Sequence, residues 1–314
     1  MRIGVVTDAT CDLPDAFLRE HRIEVMPIPI RLDGRQLTDA RDPAATARFY
    51  AEHLAGRGHD AETEAPRAED IRHQFLQRIV LEYDYVFCIT AMSSRTDIFA
   101  NASKASFAIL SDYKTIRAEH GIDVPFALRV VDSKNMFSGT GVLVAEAAKL
   151  ARAGVNPNEV RVRIDSLREH ICGYLVPNDL YYIHKRGLEK GEKSVGFLTY
   201  AFGSAFDIKP VILCFQGDTQ PVAKIRNHER AVEKLFDHVT RQIEIGIDTG
   251  HVCVSYGGDS AVIASLPGFA RMAETARGRG IEVLRSTMSA TAAVSLGAQC
   301  VTVAYGGELR AFGD

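Results

Sequence analysis

Thr63-Glu64-Ala65-Pro66 and Ser93-Ser94-Arg95 place hydroxyl groups on two segments about thirty residues apart, each beside a hydrophobic element. A hydroxyl donates a hydrogen bond without carrying charge, so several that converge make a compact site for a small anion such as a carboxylate. With the rest of the molecule in an apolar tunnel, such a site belongs to a carrier. A hydrolase needs more, namely a base and donors aimed at an oxyanion. Glu64 works against the anion, because a carboxylate facing a bound carboxylate repels it or raises one of the two pKa values. Arg95 offsets this either by a bidentate contact to the ligand or by pairing with Glu64; a solvated loop arginine is the third reading.

Other reactive residue types make weaker candidates. Cys11 follows a strand in the polar run Thr7 to Asp12, yet no histidine lies close in sequence, and a low-pKa thiol needs an electropositive setting. Asp132-Ser133 and Ser138-Gly139-Thr140-Gly141 read as a nucleophile and a phosphate loop, which would make a phosphoryl- or acyl-transfer enzyme. However, the chain has no G-x-S-x-G elbow, P-loop or complete G-x-G-x-x-G, and the two glycines suit close packing at a helix start. The basic turn His184-Lys185-Arg186, with Lys190 and Lys193, reads as a docking surface for a lipid-independent interaction module or as a solvated charged face. The ten histidines form no H-E-x-x-H or paired i, i+4 arrangement, so no metal is expected.

The elements that must position these residues alternate in the first half. Ile3 to Val6, Tyr85 to Thr90 and Ala127 to Val131 read as strands, each followed by a helix starting near Pro14, after Arg95 and at Gly139. That alternation predicts βαβ units, a parallel sheet and helices on both faces. Ligands of such sheets sit at the carboxyl ends of strands, so Thr7 to Thr10, Thr90 to Arg95 and Asp132-Ser133 should gather at one edge. Asp12 is placed to cap the helix from Pro14. Pro27 and Pro29 put the strand Glu24 to Leu32 at a sheet edge, Asp33-Gly34 turns it back, and Thr63 falls on a loop.

After about Asn156 come two helical stretches, then a hairpin from Asp207 to Phe215 and Pro221 to Arg226 through Gln216-Gly217-Asp218-Thr219. An amphipathic helix from His228 to about Ile245 follows, then strands at His251 to Tyr256, Glu282 to Arg285 and Cys300 to Ala304. The fold class expected is α/β: a parallel-sheet α/β/α N-terminal domain, 1–156, and a second α+β domain with a mixed or antiparallel sheet, 157–314. At 314 residues two cores are the prior. A net charge of −3 argues against nucleic acid, and six scattered cysteines without C-x-x-C spacing read as buried reduced thiols. No stretch is long enough to span a bilayer, so a cytoplasmic protein is expected.

Five segments in order carry a resemblance. Thr7-Asp8-Ala9-Thr10-Cys11-Asp12-Leu13-Pro14, Val131-Asp132-Ser133 continuing to Ser138-Gly139-Thr140-Gly141, Leu180 to Gly187, Asp207-Ile208-Lys209-Pro210, and Lys224-Ile225-Arg226 are similar to motifs of one family. Across essentially its whole length the chain resembles the DegV family of fatty-acid-binding proteins. The resemblance implies a protein that encloses a long-chain fatty acid between two domains, uses no cofactor and meets membranes only transiently. It further implies that the carboxylate is presented to a separate fatty acid kinase, which makes the acyl phosphate for phospholipid synthesis. In that family a threonine, a serine and a histidine hold the head group. Thr63 matches the threonine, and Ser93, or Ser94 if the loop is shifted by one, matches the serine. Ser289 stands where the histidine would be, with alanines for both of the following glycines. Fold relatives include kinase subunits for small ketones, which makes phosphoryl transfer the enzymatic alternative.

Overall fold

The structure, a computed structural model, describes residues 1–190 and 207–313. Its strands there are β1 (Ile3–Asp8), β2 (Glu24–Met26), β3 (Ile28–Leu32), β4 (Arg35–Asp39), β5 (Ala61–Thr63), β6 (Tyr85–Thr90), β7 (Ala127–Asp132), β8 (Ile171–Val176), β9 (Ile208–Phe215), β10 (Asp218–Arg226), β11 (His251–Tyr256), β12 (Glu282–Thr287) and β13 (Val301–Gly306).

Strands β2, β1, β6 and β7 form a parallel sheet in that order. Successive side chains point to opposite faces. Val5, Phe87, Ile89 and Val131 therefore meet the helices Asp15–Glu20 and Ser138–Arg152. Val6, Val86 and Cys88 meet Ala68–Gln74 and Ile98–Ala108 on the other side. The expected α/β/α layering is present.

The second sheet runs β10-β9-β8-β13-β11-β12 and is mixed, with β11 and β12 parallel and the other pairs antiparallel. Helices His228–Ile245 and Phe269–Gly278 cover one face; Val232, Leu235, Phe236, Val239 and Ile243 supply the buried stripe at helical spacing. Helix Ser138–Arg152 covers the other face, where it touches β8, β11 and β13 while also touching β1 and β6. A helix packed between two sheets must be apolar or small all round. Its residues from Ser138 to Ala145 are all buried, and a Cβ on Gly139 would lie 1.9 Å from Asn135 Oδ1. These glycines serve close packing. One apolar cluster consequently runs through both sheets, from Val5 to Ala304.

A third, antiparallel sheet, β4-β3-β5, projects from the first half. Its Ile30 joins Phe49 of helix Pro43–Ala51 in packing on Ala290, Ala293 and Val294 of helix Ala290–Leu296.

Four local expectations are corrected. The segment Glu24 to Leu32 is two strands in two sheets, broken at Pro27; β2 is an edge, whereas β3 is central in its small sheet. Pro29 cannot return a bond from its own nitrogen, but the residue it meets, Glu64, lies just past the end of β5, and the Pro29 carbonyl accepts the Glu64 N–H at 3.1 Å. Thr63 ends β5, paired with Ile30, and is not a loop residue. The stretch after Asn156 contains, between its two helices, the strand β8, all six residues of which are buried. Burial on both faces erases the alternation that would mark it. Helix Asp15–Glu20 has no side-chain cap, and Asp12 is used elsewhere. The Asp33-Gly34 turn is as expected, with φ of 49° and 77° at its two residues.

Candidate functional site

Where the first sheet ends, Asp8 accepts the Ala91 N–H at 2.7 Å and the Thr10 N–H at 2.9 Å, tying the loop after β1 to the loop after β6. Asp132, at the end of β7, accepts from Ser93 Oγ at 2.5 Å and from the Lys134 N–H at 2.8 Å. The three polar segments thus meet at one edge. The hairpin joining β9 and β10 closes onto them, since Ser94 Oγ donates to the Gly217 carbonyl at 2.6 Å and Arg95 Nη2 donates to Thr219 Oγ1.

Below this edge lies a cavity of about 470 Å³, within the ordinary range for small-molecule sites. Thr63, Ser93, Ser94 and Arg95 all line it, and Thr10, Thr219, Thr291 and Ser295 add hydroxyls. Its apolar wall includes Met136, Phe137, Leu175, Ile183, Ile212 and Leu296, which belong to one apolar cluster, together with Ile28 and Ile98 from the core under the first sheet. Among the described lining residues Arg95 is the one cation, and Glu64 and Asp97 are the carboxylates. Burial pulls the Arg95 guanidinium below its ordinary pKa, which marks a cation partly stripped of water. Glu64 stays exposed.

Ser289 does not join them. It is buried and forms the N-cap of helix Ala290–Leu296: its Oγ accepts the Ala292 N–H at 3.0 Å, and it lies outside the set of residues that line the cavity. A capping side chain folds back over the first turn of its own helix. The same helix presents Thr291 and Ser295 to the cavity, four residues apart and hence on one face. That i, i+4 pair of hydroxyls was the sequence signal for them; Thr219, near the start of β10, offered none.

Asp12 is fully buried and joins the two halves. It accepts from Ser255 Oγ at 2.7 Å and from the Ser289 N–H at 2.9 Å, with Arg41 Nη1 at 3.4 Å. Burial, outweighing the Arg41 charge and these donors, pushes its carboxyl up to about 6. Arg41 also donates to the carbonyls of Leu13 and Thr287. Asp39 accepts both the N–H and the hydroxyl of Thr291 at 2.8 Å.

The reactive alternatives lose their geometry. Cys11 is buried, and desolvation drives its thiol far above the usual range, leaving no thiolate. Ser133 is buried with its hydroxyl bonded to the Asn135 carbonyl. All six cysteines are buried free thiols. Lys185 sits 3.6 Å from Asp60; Lys193 and the side chains of Arg186 and Lys190 lie outside the described residues. Among the described residues no group of three or more His, Cys, Asp or Glu could hold a metal, and no helix is long and apolar enough to cross a membrane.

The profile of the family described as an uncharacterised protein, DegV family, matches residues 2–307. The chain belongs to the DegV family. A DegV domain-containing protein of Xanthomonas axonopodis pv. citri is 46% identical over 99% of both chains. Among solved structures, a stearic-acid-binding protein of Eubacterium ventriosum superposes with a TM-score of 0.77 at 18% identity, covering 97% of this chain and 98% of that one. A fatty-acid-binding DegV family protein of Thermus thermophilus gives 0.73 at 22% identity, covering 98% and 100%. The parallel sheet followed by a mixed sheet is the DegV fold.

Proposed function

We propose that this chain is a carrier, not an enzyme, which binds one long-chain fatty acid between an N-terminal domain, 1–156, and a C-terminal domain, 157–314. The observation that carries this reading is a cavity whose polar edge of hydroxyls and Arg95 is continuous with an apolar wall. Each methylene buried there gains about 0.8 kcal/mol, roughly 12 kcal/mol gross for an ordinary acyl chain before ordering costs. The tail supplies affinity; Thr63, Ser93, Ser94 and Arg95 replace the water lost by the carboxylate. Ser289 acts at one remove, by fixing the helix that carries Thr291 and Ser295.

Exposure of Ser93 and Ser94 leaves the carboxylate reachable from outside, which suits handover to a fatty acid kinase in the cytoplasm after transient membrane contact. The alternative enzyme readings have no accessible nucleophile to support them at Cys11 or Ser133. The test is native mass spectrometry of the protein as expressed, with lipid extraction and a fluorescent fatty-acid displacement assay. Expected are a co-purified fatty acid and an affinity that falls about tenfold or more in the double variant Thr63→Ala, Ser93→Ala. A protein that carries no lipid and displaces no probe overturns the carrier reading; unchanged affinity in the double variant overturns the head-group assignment alone.

A further inference from the structure

The geometry points to Phe137 as the residue that sets the acyl length the cavity accepts, an inference that rests on the fatty-acid reading above. Phe137 immediately precedes helix Ser138–Arg152 with φ 53° and ψ −121°, a conformation natural for glycine and strained for a residue with a Cβ. One long-range and one local backbone bond hold it there: its carbonyl accepts the N–H groups of Asp12 at 3.3 Å and Gly141 at 3.0 Å. The sequence therefore retains a large aromatic at a position where the backbone favours no side chain.

What that side chain does follows from the two spaces beside it. Phe137, Met136 and Leu175 line the main cavity, and the same three residues line a second void of about 10 Å³. The void's other walls include Gly139, Gly173, Tyr174 and Thr302, none of which borders the main cavity. The three shared residues are thus a partition. Phe137 is its only aromatic member, 5% exposed, and clusters with Ile212, Met288 and Leu296. The void by itself holds about one water-sized probe, so an acyl chain gains room there only if a side chain of the partition is removed, and the Phe137 ring is the bulkiest of the three. Replacement by glycine removes the ring and relieves the backbone together.

The experiment measures dissociation constants of the full-length protein for saturated fatty acids of increasing length. Each methylene that leaves water for an apolar wall adds about fourfold in affinity, and the rise stops where the cavity ends. In Phe137→Gly the plateau moves to acids about two carbons longer, favouring them over the wild-type optimum by roughly tenfold. Leu175→Ala opens the partition from β8 and shifts the plateau the same way; it decides the matter if Phe137→Gly shows no cooperative melt. Phe107→Ala, which removes a ring that is 73% exposed and outside the cavity, leaves the length profile unchanged. A folded Phe137→Gly or Leu175→Ala protein with the wild-type profile overturns the inference while leaving the carrier reading intact. Failure of the wild-type protein to bind any of the acids removes the carrier reading and this inference with it.

Discussion

Ser93 Oγ reaches Asp132 Oδ2 at 2.5 Å, and Asp132 Oδ1 takes the Lys134 N–H at 2.8 Å. A hydroxyl has one proton to donate, so a bound carboxylate must compete with Asp132 for it and also sits near its negative charge. Asp132→Asn keeps an acceptor for the backbone and removes the charge. Two unit charges a few ångströms apart near a surface interact by a few kcal/mol at most, so a gain of several-fold in fatty-acid affinity is expected from displacement titration. Weaker binding would show instead that Asp132 orients Ser93 for the ligand. Arg95 is set by the same kind of contact: its partner Thr219 lies at the start of β10, so the guanidinium is aimed by tertiary packing and not by its own loop.

At the scale of elements, the short helix Ala290–Leu296 forms one wall of the cavity and depends on residues far from it in sequence. Its amino end carries Ser289 as cap, and Asp39, at the end of β4, accepts the N–H and the hydroxyl of Thr291. A carboxylate beside exposed helix N–H groups is also favoured by the helix dipole. Asp39→Ala leaves these donors and the Arg41 N–H without their acceptor, which should destabilise the protein by about 2 kcal/mol. Thr291→Val keeps the backbone bond and should lose about half as much. The measurement is the shift in denaturant midpoint at constant m-value; equal stability of Asp39→Ala and wild type would mean the wall is held by packing on Ile30 and Phe49 alone.

For the whole molecule, buried titratable groups make the two halves pH-sensitive in opposite senses. Asp12, raised to about 6, holds its proton in the folded protein above the unfolded value near 4, so its contribution to stability grows as pH falls from 6 to 4. His251 is lowered to about 4, chiefly by burial; its Nε2 must carry the proton because it faces the Val142 carbonyl at 3.0 Å. That group destabilises the fold as pH falls from 6.5 to 4. The two largely offset one another, and Asp12→Asn removes one of them. The difference in Tm, wild type minus Asp12→Asn, should therefore widen from pH 6.5 to 4; a difference that narrows would show that Arg41 keeps Asp12 ionised. The same residues divide what was legible. Strands β1, β6 and β7, helix His228–Ile245 and both hairpins could be read from the chain, because apolar period and turn chemistry are local properties. The gathering of Thr7 to Thr10, Thr90 to Arg95 and Asp132 at one edge followed from parallel topology alone. Strand β8 was not legible, since a strand buried on both faces carries no alternation. Asp12 was read as a helix cap because its partners Ser255 and Ser289 are 243 and 277 residues away. Sequence determined most of the amphipathic elements and the edge that carries polar groups, both consequences of short-range geometry. Only the tertiary structure decided that Ser289 turns inward and that Thr291, Ser295 and Phe137 line one cavity, because those facts depend on how distant segments pack.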